Sequence, residues 1–238
     1  TKMYGFDAKM SGDVYTLPAG PLSVAVGTEY RREEITNNPS PALQTGDISG
    51  YGGSFEYINK SRNVWALYAE ALIPIVKTVD LNVAVRYDDY SDVGNTTNPK
   101  VTLRWQPNNQ FLGRASYSTG FLAPSLQQLF LPQRNGVTAP GTSDPLRCPT
   151  TNDSRDCLTQ FNLLYGGNPD LKPEESTSWT LGFVFEPVQG VSFLADYFNI
   201  KVKDLIVAGL PTETILGSLD TYGYLVQRGA VDPNYPSL

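Results

Sequence analysis

Arg114-Ala115-Ser116-Tyr117-Ser118-Thr119-Gly120-Phe121-Leu122-Ala123-Pro124-Ser125 is the stretch on which the reading of this chain turns. Its first six residues alternate, the signature of a strand. Gly120 and Pro124 then interrupt the pattern. A long polar excursion follows and carries both cysteines. The chain re-enters regular structure through Gly167-Asn168-Pro169-Asp170-Leu171-Lys172-Pro173-Glu174-Glu175-Ser176, and a second alternating segment runs from Ser178 to Glu186. The unit is strand, long loop, strand.

The same period of two extends outward on both sides. Residues 5–17 read as a strand, and Pro18-Ala19-Gly20-Pro21 as a tight turn. From Leu22 to Glu33, Leu22, Val24, Val26, Thr28 and Tyr30 fall on one face, opposite Ser23, Ala25, Gly27, Glu29 and Arg31. Residues 36–62 are rich in Asn, Pro, Gly and Ser and read as a long loop, with a short hairpin expected around Phe55-Glu56-Tyr57. Asn63 to Pro74 alternates again around Trp65, Leu67, Ala69, Ala71 and Ile73. Its Ala, Leu and Glu also suit a helix; the neighbouring strands favour a strand. Turns over 75–79, 91–98 and 107–109 separate the strands Leu81–Tyr90, Pro99–Trp105 and Phe111–Thr119. After a turn at Pro187-Val188-Gln189-Gly190, a last strand begins at Val191 and runs to the region of Asp204. Phe193, Ala195 and Tyr197 share a face there, whereas Ile200 and Val202 take the opposite parity, so a bulge or the end of the buried span is expected past Tyr197. Residues 206–238 read as a further long loop.

Short turns near Pro18, Lys77, Asn108 and Gln189 alternate with mostly long connections over 36–62, 91–98, 122–175 and 206 onward. In an antiparallel up-and-down sheet this puts every short turn at one edge and the long loops at the other. That asymmetry belongs to transmembrane barrels. The faces agree. Arg31, Arg86, Lys100, Arg104, Arg114, Glu29 and Glu70 share one side, and Tyr30, Trp65, Tyr87, Trp105 and Trp179 lie on the apolar side near strand ends, where interfacial aromatics sit. A soluble sandwich would turn the same faces inside out, and periodicity alone does not separate the two. The loop lengths favour an all-β, antiparallel up-and-down transmembrane β-barrel, present here in part as about eight strands of a larger barrel.

Composition narrows the function classes. No apolar run approaches the roughly 18–20 residues of a membrane helix, which leaves barrel strands untouched. The net charge of −6 argues against a nucleic-acid partner. The absence of His removes Ser-His-Asp and Cys-His catalysis, and no carboxylate pair stands out, so the chain does not read as an enzyme. Cys148 and Cys157 lie nine positions apart in one polar loop and suggest a local disulfide in an oxidising compartment. Two thiolates without further ligands fall short of a tetrahedral metal shell, so no metal and no cofactor are expected. Thr1 and the loop-like Asn234-Tyr235-Pro236-Ser237-Leu238 suggest a piece of a longer chain, with no secretory signal in view.

The chain resembles the TonB-dependent outer-membrane receptor family. The matching pieces are Arg114–Ser125 and Asn168–Glu174, joined by Ala71-Leu72-Ile73-Pro74, Val85-Arg86-Tyr87-Asp88-Asp89-Tyr90-Ser91, Asn98-Pro99-Lys100, Leu17-Pro18-Ala19-Gly20-Pro21-Leu22 and Val26-Gly27-Thr28-Glu29-Tyr30-Arg31. The order and spacing of these pieces carry the resemblance across roughly residues 10–205, by the strand reading above. Leu122 stands where the family's first motif usually has Arg, so no role of that arginine is carried over. The resemblance implies a barrel of about 22 strands closed by an N-terminal plug. It also implies import of a large scarce nutrient, a ferric siderophore foremost, driven by TonB, ExbB and ExbD across the Gram-negative outer membrane. On that reading residues 1–238 are part of the barrel domain, and the plug and TonB box are not in view. The implied partners are the TonB-ExbB-ExbD complex, the receptor's own plug, outer-membrane lipid and the nutrient, in which any iron arrives inside a chelate.

Loops on a rigid scaffold carry recognition. Tyr51, Phe55, Tyr57, Phe130, Arg134, Phe161 and Tyr165 are therefore the candidate ligand contacts. Arg86, Arg104 and Arg114 are lumen-facing charges that could steer an anion, though such residues more often pair with acidic neighbours or the plug. Gly120–Ser125 reads first as the end of a strand and the start of a loop, and second as a ligand or plug contact. The alternatives to a receptor are a passive porin and a surface carbohydrate-binding or adhesin β protein.

Overall fold

The computed structural model describes residues 1–46, 54–207 and 209–229. Eight strands form one sheet in the order β1 (Lys2–Leu17), β2 (Gly20–Asn37), β3 (Ile58–Val76), β4 (Val79–Tyr90), β5 (Gly94–Asn108), β6 (Phe111–Leu122), β9 (Glu174–Val188) and β10 (Val191–Lys203). The pairs β1–β2, β3–β4, β4–β5, β5–β6, β6–β9 and β9–β10 are all antiparallel. The remaining strands, β7 (Arg134–Val137) and β8 (Asn162–Tyr165), pair with each other inside the long connection from β6 to β9. The chain divides into a sheet unit (Thr1–Thr36, Asn59–Leu129, Pro169–Ile206) and a loop unit (Asn37–Ile58, Phe130–Asn168 and the part from Val207 onward).

Four turns of two residues join β1 to β2, β3 to β4, β5 to β6 and β9 to β10. Their sequences, Pro18-Ala19, Lys77-Thr78, Asn109-Gln110 and Gln189-Gly190, contain turn formers. Gly190 takes φ 88°, a left-handed value that side chains resist. The opposite ends of the strands carry the connection over 38–57, which holds the short helix α1 (Pro41–Thr45), the connection over 123–173 and the segment after β10.

Three sequence expectations change. The loop expected over 36–62 is shorter, because β3 already begins at Ile58, and residues 54–57 form no hairpin. The connection expected over 91–98 is only Ser91-Asp92-Val93, with β5 starting at Gly94. Pro99 looked like the start of that strand because proline cannot donate to a ladder. In the structure Pro99 pairs with Val85 of β4, and the ladder to β6 begins one residue later, at Lys100 and Ser118. The slip past Tyr197 is not a bulge: β9 and β10 keep register from Phe193 to Lys203, and the irregularity lies between Val191 and Phe193. Phe198 and Ile200 are simply apolar residues on the face that also carries Asp196.

The apolar face is the exposed one. Trp65 is 56% accessible and Leu181 59%, and Leu67, Val85, Tyr87, Val101, Leu103, Trp105, Tyr117, Trp179 and Phe183 are exposed with them. A sandwich would bury these side chains against a second sheet; here they face outward. Two aromatic belts border them. At the long-connection end Tyr30 contacts Trp65 with ring centroids 4.6 Å apart, and nearer the middle of β9 Trp179 contacts Tyr197 at 5.1 Å. Near the short turns, Trp105, Phe111 and Phe183 form a chain of ring contacts at 5.5 and 6.2 Å. On β4, Trp65 lies opposite Asp89 and Trp105 opposite Val79, ten positions apart. At about 3.4 Å per residue and a tilt of about 40° the two belts stand roughly 26 Å apart, the height of an outer-membrane apolar band.

The polar face packs tightly where the sequence leaves room. A Cβ on Gly27 would sit 2.2 Å from Cζ of Tyr68, so the tyrosine ring covers the glycine. Gly27→Ala is expected to destabilise the folded protein by about 1–3 kcal/mol through overpacking. Thermal unfolding of the full-length protein in detergent measures this. The cost should largely vanish when Tyr68 is also Ala, and an equal cost in both backgrounds would show that the ring is not the obstacle.

Candidate functional site

The polar face of the sheet holds a continuous run of ion pairs. Asp88 binds Arg86 at 2.9 Å, Arg86 binds Glu29 at 2.8 Å, Glu29 binds Arg31 at 2.9 Å, Arg31 binds Glu33 at 2.7 Å and Glu33 binds Arg62 at 2.7 Å. The run forms because β2, β3 and β4 are neighbours and each places every second residue on this face. Glu29, Arg31 and Arg86, with Tyr68, Glu70 and Lys100, line a groove of ≈ 860 Å³. Of the lumen charges singled out in the sequence, Arg86 pairs with Glu29 and Asp88, Arg104 with Asp80 at 2.9 Å and Arg114 with Asp196 at 2.6 Å. These guanidiniums are 38–48% exposed, so each pair contributes only modestly to stability.

Arg62 differs. It is 7% exposed, donates to Glu33 and to the carbonyl of Pro124 at 2.6 Å, and forms a longer ion pair with Asp92 at 3.7 Å. Its guanidinium carbon also lies 5.3 Å from the ring centre of Tyr90, which in turn contacts Phe121 at 5.5 Å. The sequence reading missed Arg62 by placing it in a loop. Its parity with Val64, Ala66 and Tyr68 would have put it on the polar face once the strand was extended.

The Gly120–Ser125 motif takes a structural part. Pro124 is fully buried. Ser125 and Gln128 cap the short helix α2 (Leu126–Phe130) reciprocally: the Gln128 N–H donates to Ser125 Oγ at 3.2 Å and the Ser125 N–H to Gln128 Oε1 at 2.8 Å. Leu126 and Leu129 are buried beneath it. The motif therefore ends a strand, turns through proline and starts a capped helix.

In the loop unit, Arg134 and Phe55 come together. The guanidinium carbon sits 4.0 Å from the Phe55 ring centre, a cation–π stack, and the Phe55 N–H is fixed on the carbonyl of Leu43 at 2.9 Å. Arg134 Nε is buried without a hydrogen-bond partner among the described residues. Tyr165 stands opposite Arg134 in the β7–β8 register, 46% exposed, and its ring passes Gly136, where a Cβ would lie 2.9 Å from Cε1. Phe161 accepts the Thr138 N–H on its carbonyl and donates its own N–H to Thr138 Oγ1, Phe130 ends α2 half-buried, and Tyr57 projects into solvent. Tyr51 lies outside the described residues.

Cys148 and Cys157 are joined, their Cα atoms 5.1 Å apart. Around the cystine, Asp144 accepts the N–H groups of Leu146 and Arg147 and pairs with Arg228, while Asp156 accepts from Arg147 at 3.0 Å and Thr151 at 2.8 Å. Burial pushes the Asp144 carboxyl up, but Arg228 and the two backbone donors outweigh it and hold it below its ordinary 3.8. Arg155 draws exposed Asp153 down to about 2. Nothing in the sequence linked Asp144 to Arg228, 84 residues away.

An open antiparallel sheet with an exposed apolar face between aromatic belts, a charged opposite face and lopsided connections defines the wall of an outer-membrane β-barrel. Residues 1–229 match the family described as "TonB dependent receptor-like, beta-barrel", and the chain belongs to it. The family's members are transport receptors, not enzymes. The chain is 28% identical over 218 residues to the "Probable TonB-dependent siderophore receptor PirA" of Acinetobacter baumannii, covering 89% of this chain and 26% of that protein. It is 27% identical over 199 residues to "Heme/hemopexin utilization protein C" of Haemophilus influenzae, covering 78% of this chain and 25% of that protein. Among solved structures, a mutant of the ferric enterobactin receptor PfeA of Pseudomonas aeruginosa superposes with a TM-score of 0.63 at 22% identity, covering 84% of this chain and 26% of that one. The crystal structure of A. baumannii PirA gives 0.60 at 23% identity, covering 85% and 27%. The chain thus spans about a quarter of the length of the relatives it matches.

Asp144 sets a pH dependence. A carboxyl depressed on folding adds stability above its unfolded value, and that stability is lost as pH falls through the lower folded value. Asp153 carries the same sign. Protease cleavage within residues 142–158 is expected to stay flat from neutral pH down to the ordinary 3.8 of Asp144 and to rise below it. Asp144→Asn should give the raised cleavage already at neutral pH.

Proposed function

We propose that this chain is the wall and loop portion of an outer-membrane receptor of a Gram-negative cell that binds a ferric siderophore and imports it with energy from TonB, ExbB and ExbD. The outward apolar face meets outer-membrane lipid. The free edges of β1 and β10 pair with the other strands of a larger barrel, and the charged face borders the receptor's own plug. The observation that carries the ligand class is the stack of Arg134 on Phe55, with Tyr165 opposite the arginine in register. A cation held on an aromatic face suits a flat, anionic chelate, because it offers charge and stacking together. The siderophore receptors among the relatives support the same reading. The Haemophilus relative makes haem the second ligand to test. With no His in its 238 residues, this chain supplies no imidazole to haem iron.

The test is uptake by cells that carry the full-length receptor and lack their own receptors. Ferric enterobactin, haem, cobalamin and an oligosaccharide are offered with and without a protonophore. Gradient-dependent uptake of the ferric chelate is the expected result. Gradient-independent leakage of many small solutes would replace the reading with a porin, and surface binding of sugar without uptake would replace it with an adhesin. Arg134→Ala is expected to weaken chelate binding about tenfold, the loss of one well-packed cationic contact. Unchanged affinity would remove Arg134 from the ligand site.

A further inference from the structure

The root of the β6–β9 connection is held by a side chain from another strand. After the last paired residues of β6, Phe121 and Leu122, the chain leaves the sheet through fully buried Pro124 and the capped helix α2. All carbonyls in such a turn need donors. The Pro124 carbonyl finds its donor in Arg62 Nη1 at 2.6 Å, 62 residues earlier in the chain. The guanidinium is not free to turn away. Glu33 Oε2 on β2 accepts from both its Nε at 2.8 Å and its Nη2 at 2.7 Å, so two N–H groups of the guanidinium converge on one carboxylate oxygen. Asp92, between β4 and β5, faces Nη1 at 3.7 Å, and Tyr90 lies against its flat side. Glu33 is itself held by Arg31 at 2.7 Å, the end of the run that begins at Asp88.

We propose that Arg62 is a positioning residue that locks the root of the β6–β9 connection to β2, β3 and β4. This inference rests on the receptor reading only where it concerns ligand, since the connection leads to Phe130, Arg134, Phe161 and Tyr165. A lysine cannot replace Arg62, because one ammonium does not reach Glu33 twice and the Pro124 carbonyl at once. Asp92, the more distant partner, contributes less than Glu33.

The test compares Arg62→Gln, Arg62→Lys, Glu33→Gln and Asp92→Asn in the full-length receptor by hydrogen–deuterium exchange. Arg62→Gln and Arg62→Lys are expected to speed exchange of amides in 121–131 about tenfold or more, as the loss of a charge-assisted bond in a buried site does. Glu33→Gln should give a smaller increase and Asp92→Asn the smallest. Amides of β9 and β10 serve as the control for the sheet and should not change. Unchanged exchange over 121–131 in Arg62→Gln would overturn the proposal, as would an equal rise over β9 and β10, which would mark a general loss of the fold. Binding of ferric enterobactin is the second readout: about tenfold weaker binding by Arg62→Gln, with β9 and β10 protected, is expected. If wild-type receptor binds no ferric enterobactin, the ligand reading fails while the exchange result still decides the role of Arg62.

Discussion

Lipid offers no hydrogen bonds, so every backbone N–H and C=O of a membrane-spanning strand must pair with a neighbouring strand. The long registers across this sheet follow from that constraint, as in the fifteen pairs that join β1 to β2. Once the ladder is fixed, side chains alternate between two faces without choice. One face must then suit hydrocarbon and the other an enclosed polar space. Trp65, Leu67, Leu103 and Leu181 supply the first; Glu29, Arg31, Arg86 and Asp88 supply the second.

The same constraint explains why the charges pair among themselves. Arg31, Arg62, Arg86 and Arg104 each lie within reach of a carboxylate on their own strand or the next, and Arg114 reaches Asp196 two strands away, so the charged face is locally neutralised. Most of these pairs are half in solvent and hold the sheet only weakly. Arg62 is the exception because burial raises the penalty for leaving it unpaired. The buried part of the sheet unit is correspondingly small: Ile35, Val64, Ala66, Leu126 and Leu129 gather near the ends of the strands that carry the long connections. Sheet registry, not a large apolar core, organises this unit.

The period of two was legible in the sequence, and with it all four two-residue turns and the eight strands of the sheet. The strand ends were less legible. Residues 58–62 and 94–98 are polar and hold Asn, Lys, Ser and Thr, which resemble loop because the apolar face has ended while the ladder goes on. The short pair β7–β8 was hidden for a related reason: four residues with Gly136 in the middle carry too little alternation to detect. The reciprocal cap of Ser125 on Gln128 emerged only with the structure, since the loop expected after Gly120 left no helix for it to cap. Of the loop candidates, Phe55 and Arg134 come together and Tyr165 stands across from Arg134 in the β7–β8 register, an arrangement that aromatic content alone did not predict.

The sequence by itself determined the alternation, the short turns and the resemblance to TonB-dependent receptors, because these are local patterns a few residues long. Which face points outward rested in the sequence on loop lengths alone, since a sandwich and a barrel share one periodicity, and the exposed apolar face of the tertiary structure agrees with that choice. The pairings of Arg62 with Pro124 and of Asp144 with Arg228 belong to the tertiary structure alone. They join residues 62 and 84 positions apart, and no local rule of spacing relates positions that only the fold brings within hydrogen-bonding distance.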